Sequence, residues 1–143
     1  MASNYRVRNV VLCDDVRMEI GGKPFLIGVY TDAIVIETSL PVTPSMGVYV
    51  LVKAEKQIYE NSLLLVRDPD GKEVHRLDTG RTEFPFPQFM GGLIFRLSNV
   101  PINAEGRYTL QLGMGEPPED IFSFQVFTRA SLAKVTPQVR PPG

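Results

Sequence analysis

The chain has 143 residues, a length suited to one domain that buries about 70% of its unfolded surface and needs no metal or disulfide to hold its core. Hydrophobic residues make up 43% and charged residues 22%, and the net charge of −1 lacks the basic excess of a nucleic-acid binder. Cys13 is the single cysteine, which excludes an intramolecular disulfide, and no apolar run has the length of a signal peptide or a bilayer span; a cytoplasmic protein with no membrane or nucleic-acid partner is the expectation.

In chain order, nearly every apolar cluster alternates with period two. Val16, Met18 and Ile20 alternate with Arg17 and Glu19 as a half-buried strand, and Gly21-Gly22-Lys23 supplies a hairpin turn. Phe25–Tyr30 returns as a more fully buried strand, bends at Thr31-Asp32 and continues through Ala33–Glu37. Two prolines make residues 40–45 a loop. Val48, Val50 and Val52 share one face of the next strand. Leu63–Arg67 leads into Asp68-Pro69-Asp70-Gly71, a type I turn by its proline and glycine positions, and Lys72–Leu77 returns. Leu93, Phe95 and Leu97 point inward, as do Tyr108, Leu110 and Leu112, and then Phe122, Phe124 and Val126.

About eight short strands of this kind predict an all-β, antiparallel two-sheet β-sandwich with one wet and one dry face per strand. Between two of them, Asn99-Val100-Pro101 is followed by a short turn and Gly106-Arg107-Tyr108 opens the next strand. Strand, turn, Gly-x-Tyr, strand is the tyrosine-corner pattern of immunoglobulin-like Greek-key sandwiches, so Gly106 and Tyr108 are expected to form a structural corner with the Tyr108 hydroxyl on the backbone of the 101–105 turn. An antibody-type domain is excluded by Leu110, which stands where the second cysteine would be, and by the lack of tryptophan. Residues 1–129 are read as the sandwich and 130–143 as a poorly ordered tail.

Two segments, VVLCDDVRMEIGGKPFLIGVYTDAI (10–34) and LLLVRDPDGKEV (63–74), together with the Gly-x-Tyr strand pair, resemble small bacterial and phage-associated all-β proteins grouped as a domain of unknown function. The shared pattern is Leu12-Cys13-Asp14-Asp15, a Gly-Lys hairpin, Ile27-Gly28-Val29-Tyr30 and an Asp-x-Asp-Gly turn, over about residues 7–128. The resemblance supports the fold and implies no activity.

The chemistry-bearing residues are sparse. Asp14 and Asp15 are neighbours on a strand, so their carboxylates face opposite sides and do not form an acid–base pair. Cys13 reads as a small buried hydrophobe, and His75, the only histidine, as a strand residue. Glu116, Glu119 and Asp120 form a solvated acidic loop. No metal set, phosphate loop or nucleophile elbow is present, so neither cofactor nor metal is expected. Phe84-Pro85-Phe86-Pro87-Gln88-Phe89-Met90-Gly91-Gly92 differs in kind: three phenylalanines and a methionine lie in a proline-broken stretch read as a loop. Either the rings plug one end of the sandwich, or Phe84 and Phe86 share one side while Phe89 and Met90 form a second cluster for a partner. The leading expectation is a non-catalytic interaction module, phage-derived or part of a bacterial assembly, with a protein partner or self-association through Phe84, Phe86, Phe89 and Met90. A self-assembling structural subunit is the alternative, and an enzyme ranks third.

Overall fold

The structure, a computed structural model, describes residues 4–135. Nine strands precede a short helix: β1 (Tyr5–Met18), β2 (Pro24–Tyr30), β3 (Ala33–Ile36), β4 (Met46–Ala54), β5 (Ile58–Arg67), β6 (Glu73–Phe84), β7 (Met90–Leu97), β8 (Gly106–Met114), β9 (Glu119–Thr128) and α1 (Arg129–Val135). They form a four-stranded sheet in the order β2-β1-β4-β7 and a five-stranded sheet in the order β3-β9-β8-β5-β6. The all-β sandwich expected from the alternation is the observed fold, with one strand more than counted.

That strand is β3. The bend at Thr31-Asp32 carries the chain across to the other sheet, where the Gln125 amide donates to the Asp32 carbonyl at 2.8 Å. There β3 pairs with β9 in parallel, the exception in an otherwise antiparallel structure. The alternating apolar residues meet between the sheets: Leu12, Val48, Val50, Val52 and Phe95 from one, Leu64, Val66, Leu110, Leu112 and Phe124 from the other. Tyr5 ties the layers, its hydroxyl donating to the Leu112 carbonyl at 3.2 Å.

The corner forms as the sequence predicts. Gly106 has φ +130°, and a Cβ there would meet Pro69 Cγ at 2.9 Å, so glycine lets the chain turn close under the 68–71 hairpin. Tyr108 then enters the core, its ring stacked on Phe124 at 5.6 Å and its hydroxyl donating to the Ala104 carbonyl at 2.7 Å. The 68–71 turn also closes as expected, with Gly71 N–H on the Asp68 carbonyl at 2.9 Å and the Asp68 carboxylate accepting from the Asp70 and Lys72 amides.

Several sequence expectations need correction. β1 begins at Tyr5, not near Val16; a bulge between Val7 and Asn9 shifts the inward parity from Tyr5 and Val7 to Val10 and Leu12 and breaks the simple alternation. Met18 and Ile20 are exposed, because β1 outruns β4: their pairing ends at Cys13 opposite Gly47, and beyond it β1 has only β2 beside it. β2, read as more fully buried, is an edge strand with Phe25 52% and Val29 56% exposed. β6 runs to Phe84, well past Leu77, so Phe84 belongs to a strand and not to a loop. The alternation ends at Thr128, and residues 129–135 fold as α1, anchored by Arg129 on Glu37 at 2.5 Å; residues 136–143 of the expected tail lie outside the described residues.

Candidate interaction surface

The proline-broken segment divides in two. Phe84 ends β6 and is buried, 3% exposed, with its ring against the backbone of Gly91. Its assignment as a contact residue is therefore corrected: the β5–β6 register sets Phe84 opposite Ile58 at the closed end of the core. Phe89 is half-buried and bridges, 5.7 Å from the Phe84 ring and 5.2 Å edge-on to Phe86. The expected pairing of Phe84 with Phe86 and of Phe89 with Met90 is thus replaced by a chain Phe84–Phe89–Phe86. Hydrogen bonds from Gln88 N–H to the Ala54 carbonyl and from Ala54 N–H to the Phe89 carbonyl hold the turn against β4. Phe86 (54%) and Met90 (46%) remain exposed.

Met90 leads to a feature the residue pattern alone did not reveal. It stands opposite Lys53 on the outer side of β7, in line with Gly92, Ile94 and Arg96. Across β4 and β1 the register continues this outer face through Leu51 and Tyr49 to Val11, and at the arm through Val29, Ile27 and Phe25. The outside of the four-stranded sheet thus carries a strip of half-buried apolar side chains, Val11, Tyr49, Leu51 and Ile94, beside the exposed Asn9 opposite Leu51, where alternation implies a wholly wet face. Gly92 has a role here: a Cβ would meet the Tyr49 hydroxyl at 2.6 Å, so the tyrosine ring lies across the glycine and flattens the surface.

Charge surrounds this face unevenly. Arg6, Arg17, Lys53 and Arg96 share its side with Asp15 and Glu55. Arg6 pairs with Glu55 at 3.0 Å and Arg17 with Asp15 at 3.0 Å; Arg96 lies 3.9 Å from Asp15 and donates to the Val16 carbonyl at 2.8 Å. The Arg17 hydrogen bond foremost, then the Val16 amide and the charges of Arg17 and Arg96, holds the Asp15 carboxyl below the usual carboxylate range. The rim is net cationic. The same contacts clamp the β1–β2 arm, which bends over Gly47; a Cβ at 47 would meet Val16 Cγ2 at 2.9 Å.

The residues weighed for chemistry fall into structural roles. Cys13 is fully buried beneath the arm, its thiol donating to the carbonyls of Asp15 at 3.2 Å and Gly47 at 3.5 Å, and burial pushes its pKa up, away from a nucleophilic thiolate. His75 is on β6 of the other sheet. Asp14 accepts the Tyr30 hydroxyl at 2.5 Å while Asp15 turns to the arginines, so the two carboxylates separate as expected. Burial first, then Asp14, raises Tyr30 to about 12. In the acidic loop Asp120 accepts from Gln111 and Glu116 from the Asn4 amide; among the described residues no three His, Cys, Asp or Glu gather as metal ligands. An open groove of about 600 Å³ crosses the outside of the other sheet, where Arg81 lies over the Tyr59 ring at 5.3 Å beside Asn61 and Asp78. No helix among the described residues is long and apolar enough to cross a membrane.

Residues 8–127 match the family of unknown function DUF6941, and the chain belongs to that family. No curated protein matches the sequence. Among solved structures, the C-terminal domain of wzt aligns with a TM-score of 0.54 at 14% identity, over 87% of this chain and 74% of that one. An immunoglobulin-like protein from Pseudomonas aeruginosa aligns with a TM-score of 0.45 at 13% identity, over 87% of this chain and 97% of the other. At these identities the likeness concerns the fold alone, here a two-sheet β-sandwich.

Proposed function

We propose that this protein is a non-catalytic interaction module that docks a protein partner on the outer face of the β2-β1-β4-β7 sheet. The observation that carries the reading is the apolar strip on that face, set where a sandwich commonly exposes polar side chains. Its centre is Tyr49, Leu51 and Ile94, with Met90 and Val29 at its borders. The cationic rim selects the partner's chemistry: an apolar surface edged by carboxylates. Phe86, exposed in the turn that leads into β7 and edge-on to Phe89, is the further apolar side chain proposed for the contact. The buried thiol of Cys13, held as a structural hydrophobe, fits a reducing compartment, and a bacterial or phage-derived assembly is the setting proposed for the module.

A photo-crosslinking amino acid placed at Met90, and in a second variant at Lys72 in the distal hairpin, tests this in the cells that express the protein. The expected result is discrete adducts from position 90 and none from 72, lost when Leu51→Glu puts a carboxylate at the centre of the face. The same adducts from both positions, or adducts indifferent to Leu51→Glu, refute the assignment of the surface.

A further inference from the structure

The outer face of the five-stranded sheet carries a groove that the docking surface leaves unused. Its position follows from an irregularity in β6. Asn61 pairs with Arg81 and Leu63 with Asp78, so β6 places Thr79 and Gly80 where β5 has Ser62 alone. Gly80 has φ +81°, and the Asp78 carboxylate accepts its amide at 2.8 Å, which holds the bulge. Asp78 and Arg81 are three residues apart and would face opposite sides of a regular strand. The bulge turns both to the outside, in line with Asn61 and Leu63. On the other side of Leu63 stands Gly113 of β8, which has no side chain. A Cβ there would meet the Glu116 carbonyl at 2.9 Å, because the β8–β9 loop folds back beside it. The result is an open groove of about 600 Å³, lined by Leu63 and Gly113 between Arg81 on β6 and Glu116 in the loop.

We infer that this groove binds a neutral oligosaccharide, held between the Tyr59–Arg81 pair and the β8–β9 loop. The first support is Arg81. It lies 5.3 Å from the centre of the Tyr59 ring and forms no ion pair among the described residues, so the ring aims its guanidinium while leaving the donor fork to a ligand. Tyr59 is in turn fixed by Gln57, whose amide donates to the hydroxyl at 2.9 Å, and it remains 39% exposed. The second support is the set of polar groups. Arg81 only donates, Asp78 and Glu60 only accept, and Asn61 does both. A hydroxyl also does both, so a ligand rich in hydroxyls answers all four, and a sugar ring adds an apolar C–H face for Tyr59 and Leu63. The third support is charge. Glu60, Asp78 and Glu116 repel a phosphate or an acidic peptide, and Arg81 among them repels an ammonium group, which leaves a neutral ligand. A peptide strand gains nothing here, because the groove lies on a sheet face whose backbone is already paired in the ladders of β5 with β6 and β8. The groove and the docking face lie on different sheets, so the saccharide is a second ligand of the module, independent of the first.

The test is titration of the isotope-labelled full chain, followed by its amide resonances, with maltohexaose, cellotetraose, mannohexaose, galactotetraose and chitotetraose. Between them these probes present both equatorial and axial hydroxyls. Concentrations up to about 10 mM suit an open site that covers one side of its ligand. At least one probe is expected to shift the amides of Asn61, Leu63, Gly113 and Gly115. Its affinity should be the same at about 0.05 and 0.5 M salt, because the ligand carries no charge to screen. Arg81→Gln should weaken binding about tenfold by removing a charge-assisted hydrogen bond, and Tyr59→Ala by about as much, with the thermal midpoint unchanged in both. If Tyr59→Ala fails to fold, Arg81→Gln, at an exposed side chain, decides alone. Binding by none of the five probes, shifts confined to another surface, an affinity that falls with salt, or binding indifferent to Arg81→Gln overturns the inference. Leu51→Glu is expected to leave saccharide binding intact, so this result and the cross-linking result at Met90 stand or fall separately.

Discussion

Replacing Tyr108 with Phe isolates the hydrogen bond of the corner from the packing of its ring. The ring is 1% exposed and stacked on Phe124, and Phe fills the same space, so no cavity term enters. What is lost is the 2.7 Å bond from the hydroxyl to the Ala104 carbonyl, which pins the 101–105 turn to the first residues of β8. A lost bond that strands a buried acceptor costs about 1–3 kcal/mol. Ala104 itself is exposed, so water can reach its carbonyl, which sets the cost near the lower end, about 1 kcal/mol. Tyr108→Ala removes the ring as well and should cost about 3–5 kcal/mol. Equilibrium urea unfolding of both variants reads the difference directly, and the Phe variant should also lower the thermal midpoint by about 3–5 °C in a domain of this size. A Phe variant with the wild-type midpoint and slope would show that the hydroxyl does not hold the corner, and the reasoning from Gly106-x-Tyr108 to a stabilising element would fail.

Phe84→Ala, at a buried strand end, is expected to lower stability by about 3–5 kcal/mol, whereas Phe86→Ala, at an exposed site two residues on, should change it by less than about 1 kcal/mol while weakening the adducts formed at Met90; equal destabilisation by the two would contradict the division of the segment. Alkaline stability should follow the tyrosines. Burial first, with Glu116 and Glu119 adding to it, raises Tyr5 to about 12, and burial with Asp14 does the same for Tyr30. Because the folded state holds these protons more tightly, their contribution is complete below the unfolded pKa of about 10 and is lost as pH rises through about 12. Unfolding midpoints should therefore fall between those limits, with a shallower fall in Tyr5→Phe and Tyr30→Phe, and ultraviolet titration should show late-ionising phenols at Tyr5, Tyr30 and Tyr108, the last also raised by burial; no late-ionising phenol in the folded protein would refute the assignment.

Period-two alternation determines the architecture from sequence, because a strand buried on one side must repeat its apolar residues with the pleat. Val48, Val50 and Val52, or Leu93, Phe95 and Leu97, can satisfy that in one way. The corner was legible for a similar reason: only glycine tolerates the backbone at 106, and a tyrosine two residues on has a carbonyl within reach. Turn residues placed the 68–71 hairpin by local chemistry alone. What the sequence left open depends on which strand lies beside which. Met18, Phe25 and Val29 alternate like core residues, yet they are exposed, because β1 outruns β4 and β2 has no neighbour on its far side. Phe84 and Phe86, two residues apart and alike in kind, part at a strand end, since the β5–β6 register seats one over the core and turns the other outward. The apolar face exists only in the assembled sheet: Val11, Tyr49, Leu51 and Ile94 are unremarkable in their own strands and become a surface when register aligns them. Burial is a property of neighbours brought together from distant parts of the chain, and a periodic pattern states that a face will be covered without stating which, or by what.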